Sequence, residues 1–261
     1  MHPFPIYKKI PIILAVFVFI LLLPQPTHSE DGKTKNTFKP FVVVELYTSE
    51  SCSSCPPADL LLRQIIQKAR SQNLPIYALS FHVDYWNHTG WVDPFSQRQF
   101  SDRQRYYAKI NHSSDVYTPQ IIINGAHAFN GYRFDLAEDV IKQTLKQAAL
   151  AQVNLEIQGQ GSNQITFTYS VEGNYKERVL HVALVERGIV SQVQRGENTG
   201  RTLRHDNVVH VFKTIPLKNA RGAFRLSLPK MIELSNSSII AYVQNPQTMI
   251  INGATAIDLG K

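Results

Sequence analysis

The chain has 261 residues, 27 Lys and Arg against 20 Asp and Glu, a formal charge of +7 and two cysteines. The charge is modest and no nucleic-acid motif accompanies it, which argues against a nucleic-acid partner. A chain of this length can bury a sizeable core without disulfide staples, and it contains no internal repeat, low-complexity tract or long charge run.

Residues 1–29 read as a secretory signal peptide. Lys8 and Lys9 precede an apolar run from Ile10 to Leu23, followed by Pro24, Pro26 and the small-residue exit Thr27-His28-Ser29. The run is shorter than the roughly 20 residues of a membrane span and suits a signal h-region. An uncleaved signal anchor would be the one route to membrane attachment. Loss of this segment removes Lys8 and Lys9 from the 27 basic side chains, leaving 25 against 20 acidic ones and a charge of +5. An export signal points to the periplasm, where a disulfide can persist.

Residues 30–39 form a polar leader. A buried strand follows from Phe41 to Tyr47, then a small polar loop ending in Cys52-Ser53-Ser54-Cys55, then a helix from Ala58 to Arg70 with Leu61, Leu62, Ile65, Ile66 and Ala69 at three-to-four spacing. Leu74-Pro75 ends it and opens a second strand, Ile76 to Val83. Strand, helix, strand implies parallel pairing. An aromatic-rich segment from Asp84 to Phe100 begins as a loop and turns helical near Phe95, continuing to about Asn111. Pro119 stands at the start of a buried strand through Ile121-Ile122-Ile123, and Asn124-Gly125 is a hairpin signal leading to a return strand at His127–Phe129. Asp135 and Glu138 resemble a capping box before a helix from Leu136 to about Ala151. Beyond Val153 the period changes to alternation, as in Ile165, Phe167, Tyr169 and Val171, with further short strands to Ile257. The expected boundaries are a first domain over 40–151 and an all-β, sandwich-like domain over 152–261.

The chemistry concentrates at C-x-x-C. A three-residue bridge closes almost no loop and adds little chain-entropy stabilisation, so a structural staple explains it poorly. A cysteine at a helix start has backbone N–H groups and the positive end of the helix dipole beside it, which favour the reactive thiolate. Cys52 is the expected exposed nucleophile and Cys55 the resolving thiol. Pro56 and Pro57 supply no N–H, leaving thiolate stabilisation to Ser53, Ser54 and Cys55. This chemistry needs no organic cofactor or metal. The partners would be a protein or small-molecule thiol or disulfide substrate and a redox partner. Two alternatives stay open: a non-catalytic binding or scaffold protein, and Cu(I) held by the same soft thiolates, with His82, His88, His112 or His127 as further ligands at no diagnostic spacing. Trp86, with Asp84 and Trp91, could wall a substrate groove, although aromatic residues also plug domain junctions. Glu45, inside an apolar strand, is either a proton carrier or a hydrogen-bonded structural carboxylate. The polar segment from Arg195 to Asn207 could bind an anion or pair with the first domain.

The order of these elements over Phe41–Ala151 resembles the thioredoxin fold, giving an expected class of an α/β thioredoxin-like domain followed by an all-β sandwich-like domain. By that resemblance Pro119 is a cis proline lying against the cysteines, the backbone of Thr118 is a substrate-docking edge, and Glu45 relays protons to the resolving cysteine. The phrases ELYTSESCSSCPPAD, FHVDYW, TPQIIINGAHAFNG and RGENTGRTLRHDNVV further resemble an exported bacterial family catalogued as domain of unknown function 1223. Ser51 stands before Cys52 where thioredoxins usually carry Trp.

Overall fold

The computed structural model describes residues 1–4 and 38–260. The expected signal peptide and leader therefore lie almost wholly outside the described residues. Among those residues, no helix is long and apolar enough to cross a membrane.

The central strand β1 (Val42–Thr48) is buried along its whole length, as its continuous apolar run requires. Helix α1 (Pro56–Ser71) carries the chain to β2 (Ile76–His82), which pairs with β1 in parallel. Helix α2 (Arg98–Ile110) leads to β3 (Gln120–Ile123), antiparallel to β1, and then to β4 (His127–Asn130). Asn124 and Gly125 take positive φ, 48° and 71°, and turn β3 into β4. A Cβ at Gly125 would collide with the Met249 carbonyl oxygen, so the turn admits glycine alone.

Helix α3 (Phe134–Thr144) ends before the expected Ala151. The expected capping box does not form: Arg133 precedes the helix without a side-chain cap, and Glu138 pairs with Lys68 and Lys142 instead. Nine strands follow among the described residues: β5 (Ala151–Gln160), β6 (Gln164–Gly173), β7 (Val179–Glu186), β8 (Ile189–Gln192), β9 (Thr202–His205), β10 (Val208–Pro216), β11 (Arg221–Ser227), β12 (Ser237–Gln244) and β13 (Ile251–Asp258).

The expected class is corrected here. The described chain is mainly β, and its strands do not divide into a thioredoxin-like α/β domain and a separate sandwich-like β domain. One mixed sheet of eight strands runs in the order β13-β12-β7-β10-β2-β1-β3-β4, so four strands from the C-terminal part extend the edge of β2. Val208 of β10 pairs in parallel with Ser80, whose N–H donates to Asn207 O at 2.9 Å. Strands β11-β6-β5 make a smaller sheet and β8-β9 a ribbon.

The core explains why the large sheet stays continuous. Val43, Tyr47, Leu79, Phe81, Ala183, Val185, Ile240 and Tyr242 form one apolar cluster with Phe100 and Tyr107 of α2, spanning both parts of the sheet. On the other face of β1, Val42, Val44 and Leu46 pack on α1 and α3. Leu180, Val182, Leu184, Ile239, Ala241 and Val243 pack on the smaller sheet. Alternation along each strand thus separates the faces.

Candidate active site around Cys52 and Cys55

Cys55 is the residue immediately before α1, and Pro56 and Pro57 occupy its first turn. This placement agrees with the helix-start expectation. Cys55 Sγ lies 2.6 Å from Cys52 Sγ and donates to it. Ser54 Oγ is 3.3 Å from Cys52 Sγ. The Thr118–Pro119 peptide is cis, and Thr118 O faces Cys52 Sγ at 3.9 Å. Trp86 Nε1 donates to Thr118 Oγ1 at 2.7 Å, which leaves the hydroxyl proton of Thr118 free to turn toward the Cys52 sulfur. Cys52, Cys55, Thr118, Pro119 and Trp86 therefore meet in one place.

These neighbours separate the two thiols. The hydrogen bond from Cys55 brings the Cys52 pKa down to about 6 against the opposing effect of burial, with further help from Ser54 and Thr118. Cys55 moves the other way: burial, and then the adjacent Cys52, push it well above the ordinary thiol value. One sulfur is poised as a thiolate and the other held as a thiol.

Cys52 is not the exposed nucleophile that the loop position suggests. It is 1 % exposed. The polar segment after β8 closes on the backbone of the cysteine loop. The buried side chain of Asn198 donates to the carbonyls of Glu50 at 2.8 Å and Cys52 at 3.0 Å, and Arg201 Nη1 fixes its amide oxygen at 2.7 Å. Glu197 Oε2 accepts the Ser53 N–H at 2.9 Å, so that donor is not available to the sulfur. The segment from Arg195 to Asn207 is thus paired with the cysteine loop.

Glu45 is not brought to the cysteines. It shares a strand face with Val43 and Tyr47, whereas α1 packs on Val42, Val44 and Leu46. Arg103 reaches it from α2 through Nη2–Oε1 at 2.6 Å and Nε–Oε2 at 3.1 Å, and the Tyr47 and Tyr242 hydroxyls donate to it at 2.9 and 2.8 Å. It is the hydrogen-bonded structural carboxylate.

Gly131 supports the site from below. Its N–H donates to Pro119 O at 2.9 Å, and a Cβ on it would lie 2.9 Å from the Cβ atoms of both Ala58 and Pro119. Gly131→Ala is expected to cost about 1–3 kcal/mol through overpacking, read as a lowered urea midpoint.

Residues 43–244 match the family described as Protein of unknown function (DUF1223). The chain belongs to the DUF1223 family. No curated protein matches it. Among solved structures, a crystal structure of a protein from Agrobacterium tumefaciens is similar at 25 % identity, covering 85 % of this chain and 96 % of that one with a TM-score of 0.63. A domain of the outer membrane lipoprotein Omp28 from Porphyromonas gingivalis is similar at 13 % identity, covering 42 % of this chain and 88 % of that one with a TM-score of 0.27.

This DUF1223 chain also buries a polar cluster behind Cys55 that the sequence does not announce. It comprises Thr48 of β1, Glu50, Asp59 of α1, His82 of β2, Asp93 and His205 of β9, each 7 % exposed or less. His82 Nδ1 meets Asp93 Oδ2 at 2.7 Å. Burial works against both charges, yet their attraction raises His82 above its ordinary pKa and lowers Asp93 below its own. Asp93 also accepts the Glu50 N–H at 2.8 Å, and Trp91 Nε1 donates to Glu50 Oε2 at 2.7 Å. Trp91 thus anchors this cluster, while Trp86 serves Thr118. Among the described residues, no three His, Cys, Asp or Glu side chains are arranged to hold a metal ion. Of the sequence candidates for extra ligands, His82 is committed to Asp93, and exposed His88 holds the Tyr85 carbonyl through Nδ1.

Proposed function

We propose that this protein is a thiol–disulfide oxidoreductase acting through Cys52 and Cys55 in an exported setting. The observation that carries the proposal is the division of labour in the pair: Cys52 acidified to about 6 by the thiol of Cys55, and Cys55 held protonated by burial. A thiolate attacks a disulfide sulfur along the S–S axis and displaces the other sulfur. Cys52 would attack first, forming a mixed disulfide, and Cys55 would then attack Cys52 and release the substrate as a thiol. The Thr118 carbonyl, already facing Cys52, is the backbone edge beside which the substrate sulfur would lie.

The test is the pH profile of mixed-disulfide formation between the reduced protein and glutathione disulfide, read by mass after acid quenching. The expected midpoint is about 6, against about 8.5 for an unperturbed thiol. If Cys52 forms no adduct at any pH and the pair does not cycle in glutathione buffers, the proposal fails.

A further inference from the structure

A cleft opens at the end of α1 that lies away from the cysteines. Arg70 stands one residue before the end of the helix, roughly 22 Å along its axis from Cys55. The cleft has a volume of about 240 Å³ and lies between the last turn of α1 and strands of the large sheet. Ile66 of α1, Leu74 of the turn after it, Ile76 of β2 and Ile240 of β12 give it an apolar wall. The polar wall is Arg70, Arg187 after β7, Asn207 before β10, Ser238 of β12 and Asp258 of β13. A water takes about 30 Å³ of liquid, so the cleft has room for on the order of ten non-hydrogen atoms.

The polar wall offers donors and an acceptor that the protein itself does not use. Arg187 Nη1 reaches Asp258 Oδ1 at 3.2 Å and also donates to Ser238 Oγ. Arg70 Nη1 reaches the two oxygens of the same carboxylate at 3.4 and 3.2 Å. The Arg187 side chain is 16 % exposed, and its Nε and Nη2 have no hydrogen-bond partner among the described residues. Those two atoms form the edge of a guanidinium that meets both oxygens of a carboxylate in parallel hydrogen bonds. Asn207 supplies the acceptor. It is 7 % exposed and donates through Nδ2 to Ala78 O at 2.7 Å, while its Oδ1 is buried without a donor. Native proteins leave few such groups unpaired.

We propose that this cleft binds a small hydroxylated carboxylate with a short aliphatic body, its carboxylate on Arg187 and Arg70, its hydroxyl donating to Asn207 Oδ1 and its carbon chain on the apolar wall. Two arginines share the single carboxylate of Asp258, which leaves one positive charge over. Asp206, which also acts on Arg187, is held by Arg63 at 2.7 Å. Burial holds Arg187 below the ordinary arginine value; Asp258 opposes this and Arg70 adds to it. A ligand with one negative charge relieves that strain on the guanidinium, and its charge matches the excess better than a phosphate dianion does. The hydroxyl is what Asn207 selects, because an analogue without it leaves Oδ1 buried and unpaired. Neither cysteine takes part, so the inference does not rest on the exchange chemistry proposed above.

Isothermal titration of the whole protein with 2-hydroxyhexanoate and with 3-hydroxyhexanoate, at low ionic strength, tests the assignment. At least one of them is expected to bind at one site per chain, about tenfold more tightly than hexanoate, which lacks the hydroxyl. Arg187→Met should weaken that binding by about tenfold or more. Arg70→Gln, at a half-exposed helical position that the fold does not depend on, should weaken it as well. Failure of both hydroxy acids to bind overturns the inference, and so does an affinity unchanged in both arginine variants. Hexanoate binding as tightly as the hydroxy acids removes Asn207 from recognition and overturns it too. Tighter binding of 2-aminohexanoate or of inorganic phosphate gives the cleft to another class of ligand, with the same consequence. Each reading is a binding heat, so the result stands or falls whether or not the cysteine pair exchanges.

Discussion

Arg103→Met is expected to destabilise the protein by about 3–5 kcal/mol, measured by urea unfolding. The size follows from what the substitution leaves behind. Glu45 is completely buried, and among the described residues Arg103 is its one cationic partner. Burial opposes the charge on Arg103, but Glu45 and the tyrosine hydroxyls around it hold the guanidinium firmly protonated. Its carbon lies 5.1 Å from the ring centroids of Tyr107 and Phe212, and its Nη2 also donates to Tyr107 Oη and Gln244 Oε1. Methionine keeps much of the apolar contact and removes the charge, so a carboxylate stays in the core with two tyrosine donors. Arg103→Met/Glu45→Gln should regain much of the loss, because the penalty belongs to the uncompensated ion. A loss below about 1 kcal/mol would mean that the pair behaves as a solvated surface bridge. Since Glu45 lies on the strand face away from α1, the acidity of Cys52 should be unaffected.

The same pair explains where reading the sequence succeeds and where it stops. Local order is legible because it is written in neighbouring residues: the apolar run of β1, the three-to-four spacing of α1, proline before β3 and Asn124-Gly125 at the turn. Those signals order the elements, and the resemblance that this order carries is what implies Pro119 beside Cys52 and Cys55. Continuity of the large sheet is written elsewhere. Tyr242 and Glu45 are joined across 197 positions, and the pairing of Val208 with Ser80 leaves no trace in the periodicity of either strand. Without those contacts, short alternating runs after Val153 read as a sheet of their own. β8 and β9 have four residues each and too few apolar positions to stand out.

The candidate site divides along the same line. Asp59 looks like an ordinary acidic residue in the first turn of a helix, and His205 like part of a polar loop. Only the fold turns both inward and sets His205 between Asp59 and Glu50. The one local hint was the density of Glu197, Asn198, Arg201, His205 and Asn207, too polar and too rich in glycine turns for a plain strand. The anchoring of the cysteine loop is hidden for the same reason, since Asn198 donates to the Cys52 carbonyl from 146 positions away.

Cys55→Ser is expected to abolish turnover while leaving a stable mixed disulfide at Cys52, detected as one substrate adduct per chain by mass spectrometry. The serine hydroxyl can still donate to the Cys52 sulfur, so the first attack persists, but an alcohol at neutral pH does not displace the substrate thiolate. Cys55→Ala separates these two contributions. It removes the donor that does most to acidify Cys52, and the pH midpoint for adduct formation should rise from about 6 toward the ordinary thiol range, by about one pH unit or more. The serine variant should remain closer to the unmodified protein. Turnover by Cys55→Ser at the unmodified rate would show that Cys55 does not resolve the adduct, and equal midpoints for serine and alanine would show that its hydrogen bond does not acidify Cys52. The predicted order of midpoints, unmodified below serine below alanine, follows from the 2.6 Å contact between the sulfurs, because a closer and more acidic donor stabilises a neighbouring anion more.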